Sequence, residues 1–482
     1  MTALFAGAGL CSATESVESM PGLEAYALDP RSQSEGKTLF TKLDPKALGI
    51  SMVNEYADSR MWNELYNEFA LGAIGTGVAV ADYDKDGNVD LFLVNKTGQS
   101  QLYRNLGDWR FEQVTEQAGL GEKSGGWLDS VSGWFGSDDK AEGESVWKQG
   151  AAFADVDNDG WLDLYVCRFD APNQLFINQG DGTFLEAEGG RGLDLTSASG
   201  MGHFCDFNRD GWLDVYVQTN MLDARKSPEG SRDRLYLNTG DGYFEDVTEQ
   251  AGVSGKTLGH SATWWDYDED GWPDLLVAND FAAPDQLYRN ECANGEIRFV
   301  EVVDQVVRRQ THSSMGADLG DVNNDGHIDV LVAEMAPTDH EMDMRGMGVT
   351  RYTMRDVNEG EEGAPQFMFN VLHLNTGLGV TMEAAWLAGL ARTDWTWSVR
   401  FEDLDCDGLI DLHVTNGMVR EFQNDDLRQR IFRAEHPSAR MRIMNSSPVM
   451  QESNLAFRNL GDLRFERVER DWGLDEVGVS FG

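Results

Sequence analysis

The chain has 482 residues, with 83 Asp and Glu against 39 Lys and Arg, and a formal net charge of −44. That charge argues against binding nucleic-acid phosphates or anionic membrane surfaces, while 41% hydrophobic and 10% aromatic residues exclude an acidic disordered tail. With 52 Gly, 11 Pro and five scattered Cys, the composition fits short strands joined by tight turns and excludes a disulfide scaffold.

Residues 1–38 read as a leader. Ala3 to Cys11 is short and apolar, and Ser12-Ala13 follows it, as in a remnant signal segment that lacks its basic flank. On this reading the protein is exported, to an extracellular, periplasmic or cell-surface location. No apolar run reaches the roughly 20 residues of a membrane helix, so no membrane span is expected.

From residue 39 onward one block recurs six times: an apolar strand, then Asp-x-Asp/Asn-x-Asp-Gly-x-x-Asp, then an alternating apolar strand. Counting the first Asp as position 1, positions 1, 3, 5, 7 and 9 are as follows. Unit one has Asp82, Asp84, Asp86, Asn88 and Asp90; unit two has Asp155, Asp157, Asp159, Trp161 and Asp163. Unit three has Asp206, Asn208, Asp210, Trp212 and Asp214; unit four has Asp266, Asp268, Asp270, Trp272 and Asp274. Unit five has Asp321, Asn323, Asp325, His327 and Asp329; unit six has Asp403, Asp405, Asp407, Leu409 and Asp411.

After each Asp block comes a strand ending in Asn, a Gly-rich turn and a further strand, Phe-led in most units, as in QLYRNLGDWRFEQV and RLYLNTGDGYFEDV. This is hairpin punctuation. Each unit therefore reads as four short strands, the period of a propeller blade. The expected fold is all-β: a β-propeller over 39–482 with six complete four-stranded blades and insertions at 121–149, 335–365 and 416–452. Within the last insertion, Arg420 to Ile443 is charged and helix-like. LFTKLDPKALGI (39–50) reads as the outer strand of a preceding blade, and DEVGVSFG (475–482) as the first strand of a further one. A seventh blade shared by the two ends then closes the ring, in a chain cut short of its natural C-terminus; the alternative is a six-bladed ring with two tails.

The Asp blocks point to calcium, up to six ions, one per loop. Calcium takes six to eight oxygen ligands, mostly carboxylate and carbonyl. Positions 1, 3, 5 and 9 supply side-chain oxygen, and the variable position 7 supplies a backbone carbonyl. Gly at position 6 allows the positive φ of a loop wrapped round an ion. An EF-hand is excluded, because position 12 is Leu93, Val166, Val217, Val277, Val332 or Val414 rather than a bidentate Glu. Three or four acidic residues in nine repel one another unless a cation lies among them. Loops three and five, with Asn208 and Asn323, should bind more weakly by charge count.

The blocks GVAVADYDKDG, QLYRNLGDWRFEQVTEQAGL and SSMGADLGDVNNDG resemble the FG-GAP/VCBS repeats of integrin-α-like propellers, and among them the cartilage acidic protein or ASPIC/UnbV group. The resemblance covers about residues 40–482. It implies a seven-bladed propeller with calcium in its outer loops, export, and roles in adhesion or assembly.

Three further features merit placement. Trp161, Trp212 and Trp272 share one loop position, which suits inter-blade packing, or an aromatic track for sugar or peptide. His203, His260, His312 and Asp318 fall on or before first strands, which line a propeller's channel, at unequal offsets from their loops. The 420–443 stretch is a surface helix or a partner-binding one. No nucleophile elbow, P-loop or HExxH occurs, so no catalytic residue and no organic cofactor is assigned. The leading expectation is a non-enzymatic binding or adhesion module for a protein or glycan, with a polysaccharide lyase or hydrolase and a structural cell-surface component as rivals.

Overall fold

The computed structural model describes residues 16–20, 23–26, 38–62, 64–66, 68–121, 145–220, 232–253, 258–280, 283–346, 364–418, 420–421, 424–434 and 436–481. The leader residues 1–15 and most of the insertion 121–149 lie outside them. A short hairpin, Ser16–Met20 with Leu23–Tyr26, precedes the main body.

Six blades follow, each a four-stranded antiparallel meander. Blade one is Val78–Ala81, Asp90–Leu93, Gln101–Asn105 and Phe111–Gln113. Blade two is Trp147–Ala154, Asp163–Pro172, Gln174–Asn178 and Phe184–Glu186. Blade three is Thr196–Cys205, Asp214–Thr219, Arg234–Asn238 and Phe244–Asp246. Blade four is Gly259–Trp265, Asp274–Asn279, Gln286–Asn290 and Phe299–Glu301. Blade five is Ser314–Gly320, Asp329–Ala336, Val371–Asn375 and Thr381–Glu383. Blade six is Asp394–Glu402, Asp411–Asn416, Leu455–Asn459 and Phe465–Arg467.

The second strands are β-branched and aromatic runs with no exposed face; all six residues of Asp214–Thr219 are buried. Such strands need a sheet on either side. Accordingly the core lies between blades rather than within them. Phe92 and Leu102 of blade one pack with Leu164, Val166 and Phe176 of blade two. Tyr216 and Leu235 of blade three pack with Leu275, Val277 and Tyr288 of blade four, and Leu331 and Leu372 of blade five with Leu412, Val414 and Phe457 of blade six. A blade alone would leave these faces wet, at a cost of about 1.5–3 kcal/mol per large side chain.

Two distant segments meet between blades six and one. Outer strands are joined by one repeated contact: the Phe184 N–H donates to the Ala118 carbonyl at 2.8 Å, and the Phe111 N–H to the Leu48 carbonyl at 2.8 Å. Phe40 donates in the same way to the Trp472 carbonyl of blade six at 2.8 Å. Residues 38–50 therefore occupy the outer-strand place of a seventh position. At the inner edge, the Ser480 N–H donates to the Asn416 carbonyl at 3.0 Å, and the Phe481 ring meets Trp397 at 5.1 Å. Gly417, at φ +123, has no room for a Cβ, which would lie 2.0 Å from the Gly478 carbonyl oxygen. Lys42 and Glu476 join the two segments at 2.6 Å. The two end segments, read above as parts of a closing blade, thus lie against blade six and against each other.

The stretch 420–443, read as one helix, forms two: Asp425–Arg433, capped by the Asn424 side chain, and Pro437–Ser446. Pro437 starts the second helix, since proline lacks the N–H that a continuing helix requires.

Blade loops between first and second strands lie at one end of the ring. The opposite mouth is crossed by residues 56–74, which include short turns of helix at Ser59–Trp62 and Glu68–Gly72. Met61, Phe69 and Ala73 pack against Trp147 and Phe169 of blade two and Ala198 of blade three. Gly72 abuts the Asn220 side chain of blade three, and Ile74 packs into the cluster of Met315, Met335, Trp395 and Met418 from blades five and six. Buried Asp58 ties the segment down, accepting from Ser145 N–H at 3.0 Å and Trp147 Nε1 at 2.9 Å. Burial would raise its carboxyl, but these bonds and the Arg60 guanidinium outweigh it and hold it at about 2.

Candidate metal centres

Each Asp loop is built by the same hydrogen bonds. The position 1 carboxylate accepts the position 6 Gly N–H at 2.9–3.0 Å in all six loops. The position 5 carboxylate accepts the N–H of position 7 at 2.8–3.0 Å. The six position 6 glycines have φ between +87 and +92, a region that side chains rarely enter. Position 4, which is Lys85, Asn158, Arg209, Glu269, Asn324 or Cys406, also has positive φ. Asp carboxylates and this backbone together curl the loop round a common centre.

Position 9 acts as a clamp. One oxygen of Asp90, Asp163, Asp214, Asp274, Asp329 and Asp411 accepts the N–H of position 2 at 3.0–3.3 Å. The other accepts the N–H of the Asn ending the third strand at 2.7–2.9 Å. Burial, reinforced by neighbouring Asp charges, raises these carboxyls despite the bonds: Asp214 and Asp274 to about 8, Asp90, Asp163 and Asp329 to about 7, and Asp411 to about 6.

Side-chain oxygens converge within 4.8 Å of one another in four loops: Asp82, Asp84 and Asp86; Asp155, Asp157 and Asp163; Asp266, Asp268 and Asp274; Asp403, Asp405 and Asp411. Loops three and five, where Asn208 and Asn323 replace position 3, are not among these acidic groupings. Asp155 Oδ1, Asp157 Oδ1 and Asp266 Oδ1 are buried with no hydrogen-bond partner. An ionised oxygen held dry and unpaired is costly, so these atoms fit a cation. A donor set of carboxylate oxygen alone suits calcium, whereas zinc prefers nitrogen and sulfur. Calcium held there would neutralise the loop and fix the two strands it joins.

Residues outside the Asp block link each loop to the next blade. The third-strand Asn that donates its N–H to position 9 also uses its side chain. Asn178 Nδ2 donates to the Tyr83 carbonyl of the preceding loop at 2.9 Å, and Asn238, Asn290, Asn375 and Asn459 donate to Val156, Phe207, Tyr267 and Val322 at 2.8–2.9 Å. Position 4 side chains form a second link. Lys85 lies 4.2 Å from the Trp161 ring, Asn158 Nδ2 donates to the Gly211 carbonyl at 2.8 Å, and Arg209 lies 5.3 Å from the Trp272 ring. Glu269 pairs with His327, and Asn324 Nδ2 donates to the Gly408 carbonyl at 3.2 Å. Sequence reading took the Asn only as turn punctuation. Its recurrence at a single register in every unit was the available signal.

Trp161 and Trp212 cover Gly180 and Gly240 in the hairpin turn of their own blades. Together with the Lys85 and Arg209 contacts, this makes the tryptophan positions packing sites. His203 is half-buried, bonded to Gln218 at 3.1 Å, and its imidazole is lowered by desolvation to about 4. His260 lies 3.5 Å from Asp280, and Asp318 pairs with Arg400 at 3.4 Å. Glu334, fully buried beside His312, accepts three backbone N–H groups, from His312, Ser313 and Met335, and is raised by burial to about 8. Asp280 acts electrostatically on both His312 and Glu334 as well as lying beside His260, so these four groups cluster, whereas Asp318 is paired with Arg400.

With this geometry in hand, the comparisons are consistent. FG-GAP-like repeats are matched at residues 155–217, 222–277 and 266–332. Cartilage acidic protein 1 of Xenopus tropicalis is 37% identical over 68 residues, 14% of this chain and 10% of that protein. The human protein of the same name is 27% identical over 146 residues, 29% of this chain and 20% of that one. The matched stretches thus span a tenth to a fifth of these relatives. Among solved structures, an Agrocybe aegerita lectin that recognises non-reducing terminal N-acetylglucosamine has 15% identity and a TM-score of 0.44, covering 82% of this chain and 80% of its own. An exotype rhamnogalacturonan lyase has 12% identity and a TM-score of 0.35, covering 81% and 65%. The chain is a propeller carrying FG-GAP-like repeats, similar to cartilage acidic protein 1.

Proposed function

We propose that this protein is a calcium-stabilised, exported propeller that serves as a binding or adhesion module for a protein or glycan partner. The observation that carries the reading is the set of buried, unpartnered carboxylate oxygens at Asp155, Asp157 and Asp266 within loops of repeated design. Such loops stiffen a scaffold and depend on a calcium supply; extracellular calcium modules bind at about 10⁻⁴–10⁻³ M. Rigid blades then present their rims and insertions to a partner, as binding sites on loops require. The rival enzymatic reading draws on Glu334, His312 and Asp280 at the opposite mouth. Those side chains are buried, and Glu334 is occupied by backbone donors.

The test is surface plasmon resonance against immobilised glycans and extracellular proteins, with calcium and then with chelator. Saturable binding in calcium, lost on chelation and restored on re-addition, is the expected result. Release of new reducing ends or unsaturated sugars from a polysaccharide would replace the binding reading with the enzymatic one.

A further inference from the structure

We infer that loops one and six carry their own cation: the guanidinium groups of Arg104 and Arg458 compete for the place calcium takes in the other loops, so these two loops bind calcium more weakly than loops two and four. This rests on the calcium reading above. The residue before the third-strand Asn is Arg104, Ile177, Leu237, Arg289, Leu374 and Arg458 in blades one to six. Arg104 Nε lies 2.7 Å from Asp84 Oδ2, and its Nη2 lies 3.2 Å from Asp86 Oδ2. Arg458 Nε lies 2.9 Å from Asp405 Oδ2, and its Nη2 lies 2.8 Å from Asp407 Oδ2. Both guanidiniums thus span positions 3 and 5, two of the carboxylates an ion would need. A guanidinium stays charged at any pH the fold survives and suits this forked contact.

Blade four supplies the internal contrast. Arg289 stands at the same register, yet it pairs with Glu291. Blades one and six have Leu106 and Leu460 at the place of Glu291, so nothing there draws the arginine away from the loop. Loop two has one arginine contact, Arg191 to Asp157 Oδ2 at 3.1 Å, reaching a single carboxylate from the outer turn. Because Arg104 and Arg458 are about two-fifths exposed, calcium can displace them into solvent, and the consequence is weakened binding rather than a blocked site.

The experiment counts bound calcium by equilibrium dialysis at graded free calcium, on the full chain and on the Arg104→Leu, Arg458→Leu and double variants. Leu is the native residue at this register in blades three and five. Wild type is expected to bind calcium at loops one and six about tenfold or more weakly than at loops two and four, the equivalent of one lost ion pair, apart from the weakening that Asn208 and Asn323 bring to loops three and five. Each single variant should bring one of these two ions up to the affinity of loops two and four, and the double variant both. Glu291→Leu should do the opposite, releasing Arg289 into loop four and weakening the ion there; this variant leaves the loop carboxylates intact and covers the case in which the arginine variants fold poorly. A single affinity class in wild type, unchanged in every variant, overturns the inference while leaving the calcium reading standing. No calcium bound by any of the proteins overturns both.

Discussion

The two ends of the ring are made on different principles. At the loop end every blade repeats the same nine-residue device, polar, acidic and linked to its neighbour by Asn and position 4 side chains. At the other mouth one unrepeated segment, residues 56–74, lays Met61, Phe69, Ala73 and Ile74 across blades two, three, five and six. The first end is built of carboxylates and, on the calcium reading proposed above, would be loosened by removing a cation. The second is held by apolar contact and is indifferent to one. Repetition therefore gives this molecule a tunable face, and asymmetry a permanent one.

Stripping calcium should have the largest effect. Each loop occupied at 100-fold excess over its Kd contributes about 2.7 kcal/mol, so several loops together should lower Tm steeply in chelator, read by calorimetry. Magnesium, which prefers a smaller and wetter site, should restore little of the loss. An unchanged Tm would erase the distinction between the two ends.

Next comes Asp163→Ala, which removes the clamp on Val156 and Asn178 and leaves two buried N–H groups unpaired. The expected loss is about 3–5 kcal/mol in denaturant titration, with a weakened calcium response. Phe69→Ala at the opposite mouth should cost a similar amount, about 3–5 kcal/mol, yet leave the calcium-induced shift intact. That pair of variants separates the ends most cleanly.

The pH dependence should also divide by calcium. Position 9 carboxyls stand at about 6 to 8 in the folded chain without metal, against about 3.9 unfolded. A raised folded pKa contributes stability that is fully present below about 4 and is lost as pH rises through 6–8. Chelated protein should therefore lose Tm across that window. Protons and calcium compete for the same carboxylates, so the calcium-induced gain should grow over the same range. Scanning fluorimetry across pH 4–9 checks both slopes.

The smallest effect is expected from Lys85→Ala, which removes an exposed cation from over Trp161 and should cost about 0.5–1 kcal/mol. Cooperativity between loops one and two in calcium titration should fall with it.

What was legible in the sequence follows the same division. Six Asp blocks in register announced the blades, and LFTKLDPKALGI announced its own outer-strand place because Phe40 stands where Phe111 and Phe184 stand in other units. Residues 51–74 occur once and have no period to read; their turns of helix exist because blades two, three, five and six offer apolar walls to pack on. Arginines 104, 289 and 458 share one register, and Glu291, two residues past Arg289 where blades one and six have Leu106 and Leu460, is what draws Arg289 into a different pair. Helix break at Pro437 was visible as a residue but was absorbed into a longer charged stretch.

The pairing of Lys42 with Glu476 spans 434 residues of chain. Neither partner can find the other until the intervening blades have assembled, because closing so long a loop is entropically steep and is compensated only by contacts formed afterwards. Ring closure is therefore expected late in folding, after an open arc whose edges lie at Phe40 and Trp472. That arc is the form most exposed to strand pairing with another copy.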